Sequence, residues 1–150
     1  NLFTRRLKTV DNLSIIHSFI SLYSQLMTLH QISAQIALSL PEVTVTQSFG
    51  EGCDVFKVLD KVFMLQFYLQ GKAVINLKVA PDYGAMLRDT YSYIHAGWHM
   101  NKQHWISVYE DNQLDESLVE DLVQNSYELV ILKLKKAEKV RIDLLRTLEK

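Results

Sequence analysis

The chain is 150 residues long, 48% apolar and nearly neutral at a formal net charge of −1, which suits one compact soluble domain with a real core. Its single cysteine, Cys53, excludes an internal disulfide, and no Cys/His spacing makes a zinc box, so a reducing, cytoplasmic setting is expected. Charge is uneven: residues 27–132 hold six bases against thirteen acids, while residues 133–150 hold seven bases against three acids, which argues against non-specific nucleic-acid binding by the body.

Arg5, Arg6 and Lys8 followed by "LSIIHSFISLY" have the outline of a signal peptide. His17, several serines and the lack of a small-residue cleavage site argue against one, and the stretch is too short and polar to span a membrane. Leu13, Ile16, Ile20 and Tyr23 recur at helical spacing, so an amphipathic helix packing on the domain or on a second subunit is expected. Because Asn1 is not methionine, a fragment or processed product is expected, and Met27 is an alternative start that would make this segment dispensable. Residues 1–26 are therefore set apart as a helical extension from an α+β domain over 27–150.

"TLHQISAQIALSLPE" reads as a helix capped by Thr28, with Ile32, Ile36 and Leu40 on one face and Pro41 closing it. Four short strands follow, in "VTVTQS", "CDVFKV", "KVFMLQFYL" and "AVINLKV", with a turn at "GEG". They predict an antiparallel meander with one buried and one open face. Strict alternation sends Phe56, Phe63, Leu65, Phe67, Ile75 and Leu77 toward the helices and Lys57, Gln66, Tyr68, Asn76 and Lys78 to the other side.

Pro81 opens a second helix with Asp82 in its first turn. Residues 93–99 and 104–110 predict two strands joined by a turn at Met100 to Gln103, with Trp105, Ser107 and Tyr109 alternating with Ile106 and Val108. Asp115 caps a long helix whose apolar face is Leu118, Leu122 and Leu129. With no glycine or proline after Gly97, that helix is expected to run on into a helical tail bearing Val140, Leu144 and Leu148. The fold class is α+β in two layers, an antiparallel sheet packed on helices in the order α-β(3–4)-α-β(2)-α.

Chemistry-bearing residues concentrate in "AGWHMNKQHWISVY". His95, His99 and His104 are good ligand types, but a metal site needs about three converging ligands, which their strand or turn spacing does not guarantee. With no cysteine nearby and Glu110 and Asp111 at the far end of the strand, no metal is assigned. Cys53, Ser107 and Ser126 sit in no nucleophile motif, and "FGEGCD" lacks both the P-loop lysine and the third glycine of a dinucleotide loop, so no cofactor and no catalytic residue are assigned. An open sheet face carrying lysines, amides and aromatics can stack on bases or grip an extended peptide. The structural alternative is that Trp98 and Trp105 cover the core edge while the lysines are simply solvated.

"INLKVAPDYGAMLRDTYSYIHAGWHMNKQHWISVY" and "LVEDLVQNSYELV" resemble the MmcQ/YjbR-like family of small bacterial proteins. The likeness rests on Lys78, Pro81, Leu87, Arg88, His99, Asn101, Lys102, His104, Trp105, Ser126 and Tyr127, with "LSLPEVTVTQSFG" upstream, and it covers roughly residues 27–145. "HMNKQHW" is its most specific part. The resemblance implies a two-layer fold similar to type III secretion chaperones and the CyaY/frataxin group, and a DNA-binding description that rests on fold analogy. Frataxin-like iron binding is set aside, because "TLHQISAQIALSL" has no carboxylate.

The function expected is a cytoplasmic, non-enzymatic binding module with no membrane association. Its binding residues are Lys78, Trp98, His99, Asn101, Lys102, His104 and Trp105, and its partner is a nucleic acid, including double-stranded DNA, or a protein or peptide. Two alternatives remain open. One is a small-molecule binder or enzyme with His99, His104 or Lys78 as proton-transfer groups. The other is homodimerisation through terminal helices at 11–26 and 136–149.

Overall fold

The structure, a computed structural model, describes residues 12–149. Its elements run α1 (Asn12–Leu26), α2 (Leu29–Leu38), β1 (Val43–Thr46), β2 (Asp54–Val58), β3 (Lys61–Leu69), β4 (Lys72–Lys78), α3 (Pro81–Thr90), β5 (Ile94–Ala96), β6 (Trp105–Tyr109), α4 (Glu116–Ile131) and α5 (Lys136–Leu148). The α+β class and the element order are as expected. The strands form one antiparallel sheet in the order β1-β2-β3-β4-β6-β5, with α2 and α4 packed across one face.

Local signals explain the helix starts. Thr28 Oγ1 accepts from Gln31 N at 3.1 Å while Gln31 Oε1 accepts from Thr28 N at 3.0 Å, a reciprocal cap on α2. Asp115 accepts from Ser117 N at 3.0 Å to open α4. The face of α2 turned to the sheet differs from the expected row: Leu29, Ser33 and Ala37 are buried, while Ile32, Ile36 and Leu40 flank them half-buried. Small side chains at Ser33 and Ala37 let the helix axis approach the strands. On α4 the buried face is likewise turned, centred on Val119, Leu122, Val123, Ser126, Tyr127 and Val130.

The largest departure from strict alternation lies in β3. Phe56 pairs with Met64 and Lys57 with Val62, so Phe63 is an extra residue on β3, a β-bulge. Phe63 and Met64 consequently both join the core under the helices, and every side chain beyond them changes face. Leu65 and Phe67, expected toward the helices, form a second cluster on the opposite face with Val55 and Val74. Gln66 and Tyr68, expected outward, turn to α2: Gln66 Nε2 donates to His30 O and to Ser33 Oγ, both at 2.7 Å, and the Tyr68 ring stands edge-on to His30 at 4.8 Å. Phe56, Phe63, Ile75 and Leu77 face the helices as expected, with Ile106 and Val108.

The second face is not open throughout. Met100 and Tyr109 pack on the Val55, Leu65, Phe67 and Val74 cluster, and the chain between β5 and β6 lies over it. That connection runs from Gly97 to His104, longer than the expected four-residue turn, and it takes Trp98 off the strand.

The tail is helical, but α4 stops at Ile131 and α5 starts afresh at Lys136 without glycine or proline between them. Glu138 accepts from Lys135 N at 2.9 Å, and the break lets Leu134 and Ile142 both enter the core. Every α1 side chain that is described is exposed, so the expected packing of that helix on the domain is not observed among them. Residues 1–11, including the basic Arg5, Arg6 and Lys8, lie outside the described residues.

Candidate functional site

The connection 97–104 is built by polar residues that fold it onto the sheet. Gly97 N donates to Trp105 O at 2.8 Å, and a Cβ on Gly97 would stand 2.6 Å from Trp105 Cβ, so only glycine fits this approach. Asn76 and Ser107 are cross-strand partners on the second face, and both are buried. Ser107 Oγ donates to Asn76 Oδ1 at 2.5 Å and accepts from Trp98 N at 2.8 Å, while Asn76 Nδ2 donates to Trp98 O at 3.0 Å. Both backbone groups of Trp98 are thereby held by the sheet.

The rest of the loop closes on itself. His99 takes a left-handed backbone at φ 55°, and its ring meets Trp98 edge-on at 3.9 Å. Asn101 Oδ1 accepts from Gln103 N at 2.9 Å and His104 N at 3.2 Å, and Asn101 O accepts from Trp105 N at 3.0 Å. Lys102 Nζ donates to Gly97 O. His104 O accepts from Val79 N at 3.0 Å, which ties the loop's end to the end of β4. Asn101 and Lys102 thus spend polar atoms on the loop's own shape.

The expected site residues fall into two groups. Trp98, 40% exposed and stacked on Phe67 at 5.3 Å, forms an exposed ridge with His99, Asn101, Lys102 and His104. Trp105 is instead buried at 7% exposure, and half-buried Lys78 lies over its ring with Nζ 5.9 Å from the centroid. Lys78 lines a small cleft with Lys61, Val62, Val130 and Lys133, and burial first, then Lys133, pushes its ammonium down from the ordinary lysine range. A roomier cleft of about 810 Å³ opens between the starts of α2 and α4, lined by Thr28, Ile32, Glu110, Asp115 and Val119 among others. Neither cleft is lined by His99 or His104, so the proton-transfer groups weighed above do not converge on a shared cavity there.

His95 packs edge-on against Tyr109 at 5.1 Å. Among the described residues no three His, Cys, Asp or Glu side chains are grouped to hold a metal. Alternation placed Asn76 and Ser107 on one face but gave no sign that they are buried and hold the loop. The other polar group that alternation could not find is Ser126, which joins α4 to the sheet.

A meander closed by a β5–β6 pair, two helices on one face and a polar-clamped loop on the other define an α+β domain of the YjbR type, and the comparisons agree. The YjbR family model matches residues 38–129, and the chain belongs to that family. It is 41% identical over 115 residues to the uncharacterized protein YbdF of Escherichia coli O157:H7, covering 77% of this chain and 94% of that one. It is 32% identical over 75 residues to the uncharacterized protein YjbR of E. coli K12, covering 50% of this chain and 64% of that one. Among solved structures, a Deinococcus radiodurans protein with a DUF419 domain superposes with a TM-score of 0.70 at 31% identity, over 79% of this chain and 90% of that chain. A Pseudomonas syringae protein superposes with a TM-score of 0.52 at 26% identity, over 59% and 87%.

Proposed function

We propose that this chain is a non-enzymatic binding module that engages a protein or peptide partner through the 98–104 ridge. The observation that carries this reading is the presentation of Trp98: a 40% exposed indole on a backbone clamped by Asn76 and Ser107. A rigid aromatic loses little freedom on binding and is the residue type that dominates contact surfaces. Nucleic acid is the less favoured partner, because the body is acidic and Lys102, the ridge's lysine, directs its ammonium to the Gly97 carbonyl. Among the described residues no helix is long and apolar enough to cross a membrane, and the free Cys53 supports a cytoplasmic setting.

The test is recovery of partners from cell extract by the wild-type chain and by Trp98→Ala. Trp105→Ala is a poor probe, because the buried Trp105 ring supports the sheet. The expected result is loss of a defined protein partner with Trp98→Ala at unchanged melting temperature. Equal recovery by both proteins overturns the reading, and binding to oligonucleotides that falls steeply with salt transfers it to nucleic acid.

Self-association is a second reading, favoured by α1. Ile16, Phe19, Ile20, Leu22 and Leu26 are 52%, 67%, 60%, 52% and 73% exposed, an apolar face of the kind that marks an association surface. Residues 12–26 hold no Asp, Glu, Lys or Arg, so two copies of α1 pair without like-charge repulsion. The tail is the weaker candidate, since α5 buries Ile142 in its own domain. Sedimentation of the full chain is expected to show a dimer that Phe19→Asp with Ile20→Asp converts to monomer. A wild-type monomer, or a dimer unaffected by the substitutions, refutes this reading.

A further inference from the structure

We propose that the cleft between the start of β3, the end of β4 and the end of α4 is an anion site that takes the phosphate group of a small organic phosphate. This does not rest on the partner-binding reading, because none of the ridge residues 98–104 lines the cleft. Three lysines from three elements meet there: Lys61 opens β3, Lys78 closes β4, and Lys133 follows α4. The cleft measures about 270 Å³, and its remaining lining is Val62 and Val130. A phosphate group with a short carbon portion matches that volume, with the anion on the ammonium groups and the carbon portion on the valines.

Among the described residues no ion pair holds any of these lysines: the pairs are Arg141 with Glu42 and Arg146 with Glu128, and the carboxylate nearest to Lys133 along α4, Glu128, is already taken. Three carbonyls at the end of α4 already accept backbone bonds: Glu128 O from Leu132 N, Val130 O from Lys133 N and Ile131 O from Leu134 N, at 3.0–3.1 Å. Asp60 precedes Lys61 on the turn but is not part of the lining. Lys78 is the least free of the three, since its ammonium is held over the Trp105 ring at 5.9 Å. Burial and Lys133 both disfavour its charge, and the opposite charge of a bound dianion would offset both. A body with a surplus of acids therefore carries one pocket of uncompensated positive charge.

The test titrates the full-length, isotope-labelled chain with phenyl phosphate and, separately, inorganic phosphate at constant ionic strength, followed by amide chemical shifts. The expected result is saturable shifts centred on Val62, Lys78, Val130 and Lys133, with phenyl phosphate tighter than inorganic phosphate because it also covers the valines. Lys78→Met with Lys133→Gln is expected to weaken phenyl phosphate at least tenfold. It should melt no lower than wild type without ligand, since it removes a like-charge pair while keeping the Lys78 stem over Trp105. Lys61→Gln weakens binding less, and Lys72→Gln, remote from the cleft, leaves it unchanged. Shifts spread over surface lysines in general, equal affinity in the double variant, or binding of a single-stranded oligonucleotide at this cleft with none of phenyl phosphate would each overturn the proposal.

Discussion

The hydroxyl of Ser126 on α4 donates to the carbonyl of Phe63 on β3 at 2.6 Å, so a helix side chain completes the backbone ladder of the sheet. The bulge removes the rung between Phe63 and Lys78, and Lys78 N donates to the same hydroxyl at 2.8 Å. Ser126 is fully buried. Ser126→Ala leaves a part-buried N–H and a buried C=O without their partner. A loss of about 2–4 kcal/mol is expected in urea unfolding, well above the typical ~1 kcal/mol of a hydrogen bond whose groups regain water.

Asn76 and Ser107 act as one unit on the 97–104 loop. Removing either side chain frees part of the Trp98 backbone and strands a buried polar atom of the other. Asn76→Ala and Ser107→Ala should each cost about 1–3 kcal/mol, and the double variant should cost less than their sum. Both should also red-shift and quench the Trp98 fluorescence and open the loop to limited proteolysis. Additive costs with unchanged fluorescence would show that the two residues do not share the loop.

Gly97→Ala tests the close approach of the loop to β6. The added methyl meets Trp105 Cβ at 2.6 Å and Trp105 O at 3.0 Å, atoms that cannot rotate away. The expected cost is about 1–3 kcal/mol, as for overpacking in a filled core. The indole of Trp105 should shift with it, so near-UV circular dichroism should change along with the unfolding midpoint.

Local periodicity made most of the architecture legible, because helices and strands announce themselves within a few residues. The caps at Thr28 and Asp115, the proline at the start of α3, and the placing of Trp105, Ser107 and Tyr109 on one face of β6 all follow from such patterns. Alternation failed at Phe63, where one extra residue carried Leu65, Gln66, Phe67 and Tyr68 to the faces opposite those expected. Bulges depend on what fills the gap, and Ser126, 63 residues away in sequence, fills this one. "HMNKQHW" stood out as unusual, yet its role stayed hidden for the same reason. The groups that shape it, Asn76 and Ser107, lie 22 and 9 residues from Trp98.

Tyr127 is expected to make the fold less stable at alkaline pH. Its hydroxyl donates to Pro41 O at 2.7 Å, its ring meets Phe63 edge-on at 5.5 Å, and Arg146 lies over it at 5.5 Å from the centroid. Burial pushes its pKa up to about 12; Arg146 pulls the other way, and Glu128, Glu149 and Glu42 add to the rise. An unfolded tyrosine ionises near pH ~10. Between those two values the folded chain keeps a proton that the unfolded chain releases, so stability must fall as pH rises. The contribution is fully present below pH ~10 and is lost as pH passes about 12, on the order of 2–3 kcal/mol. Tyr83 and Tyr93 are shifted the same way, chiefly by burial, and add to the slope. Tyr127→Phe separates their effects: it should cost about 1–3 kcal/mol at neutral pH, because it leaves the buried Pro41 carbonyl without its donor, and should flatten most of the decline above pH ~10. Urea unfolding of both proteins from pH 8 to 12 checks it, and parallel curves for the two would place the alkaline transition on other groups.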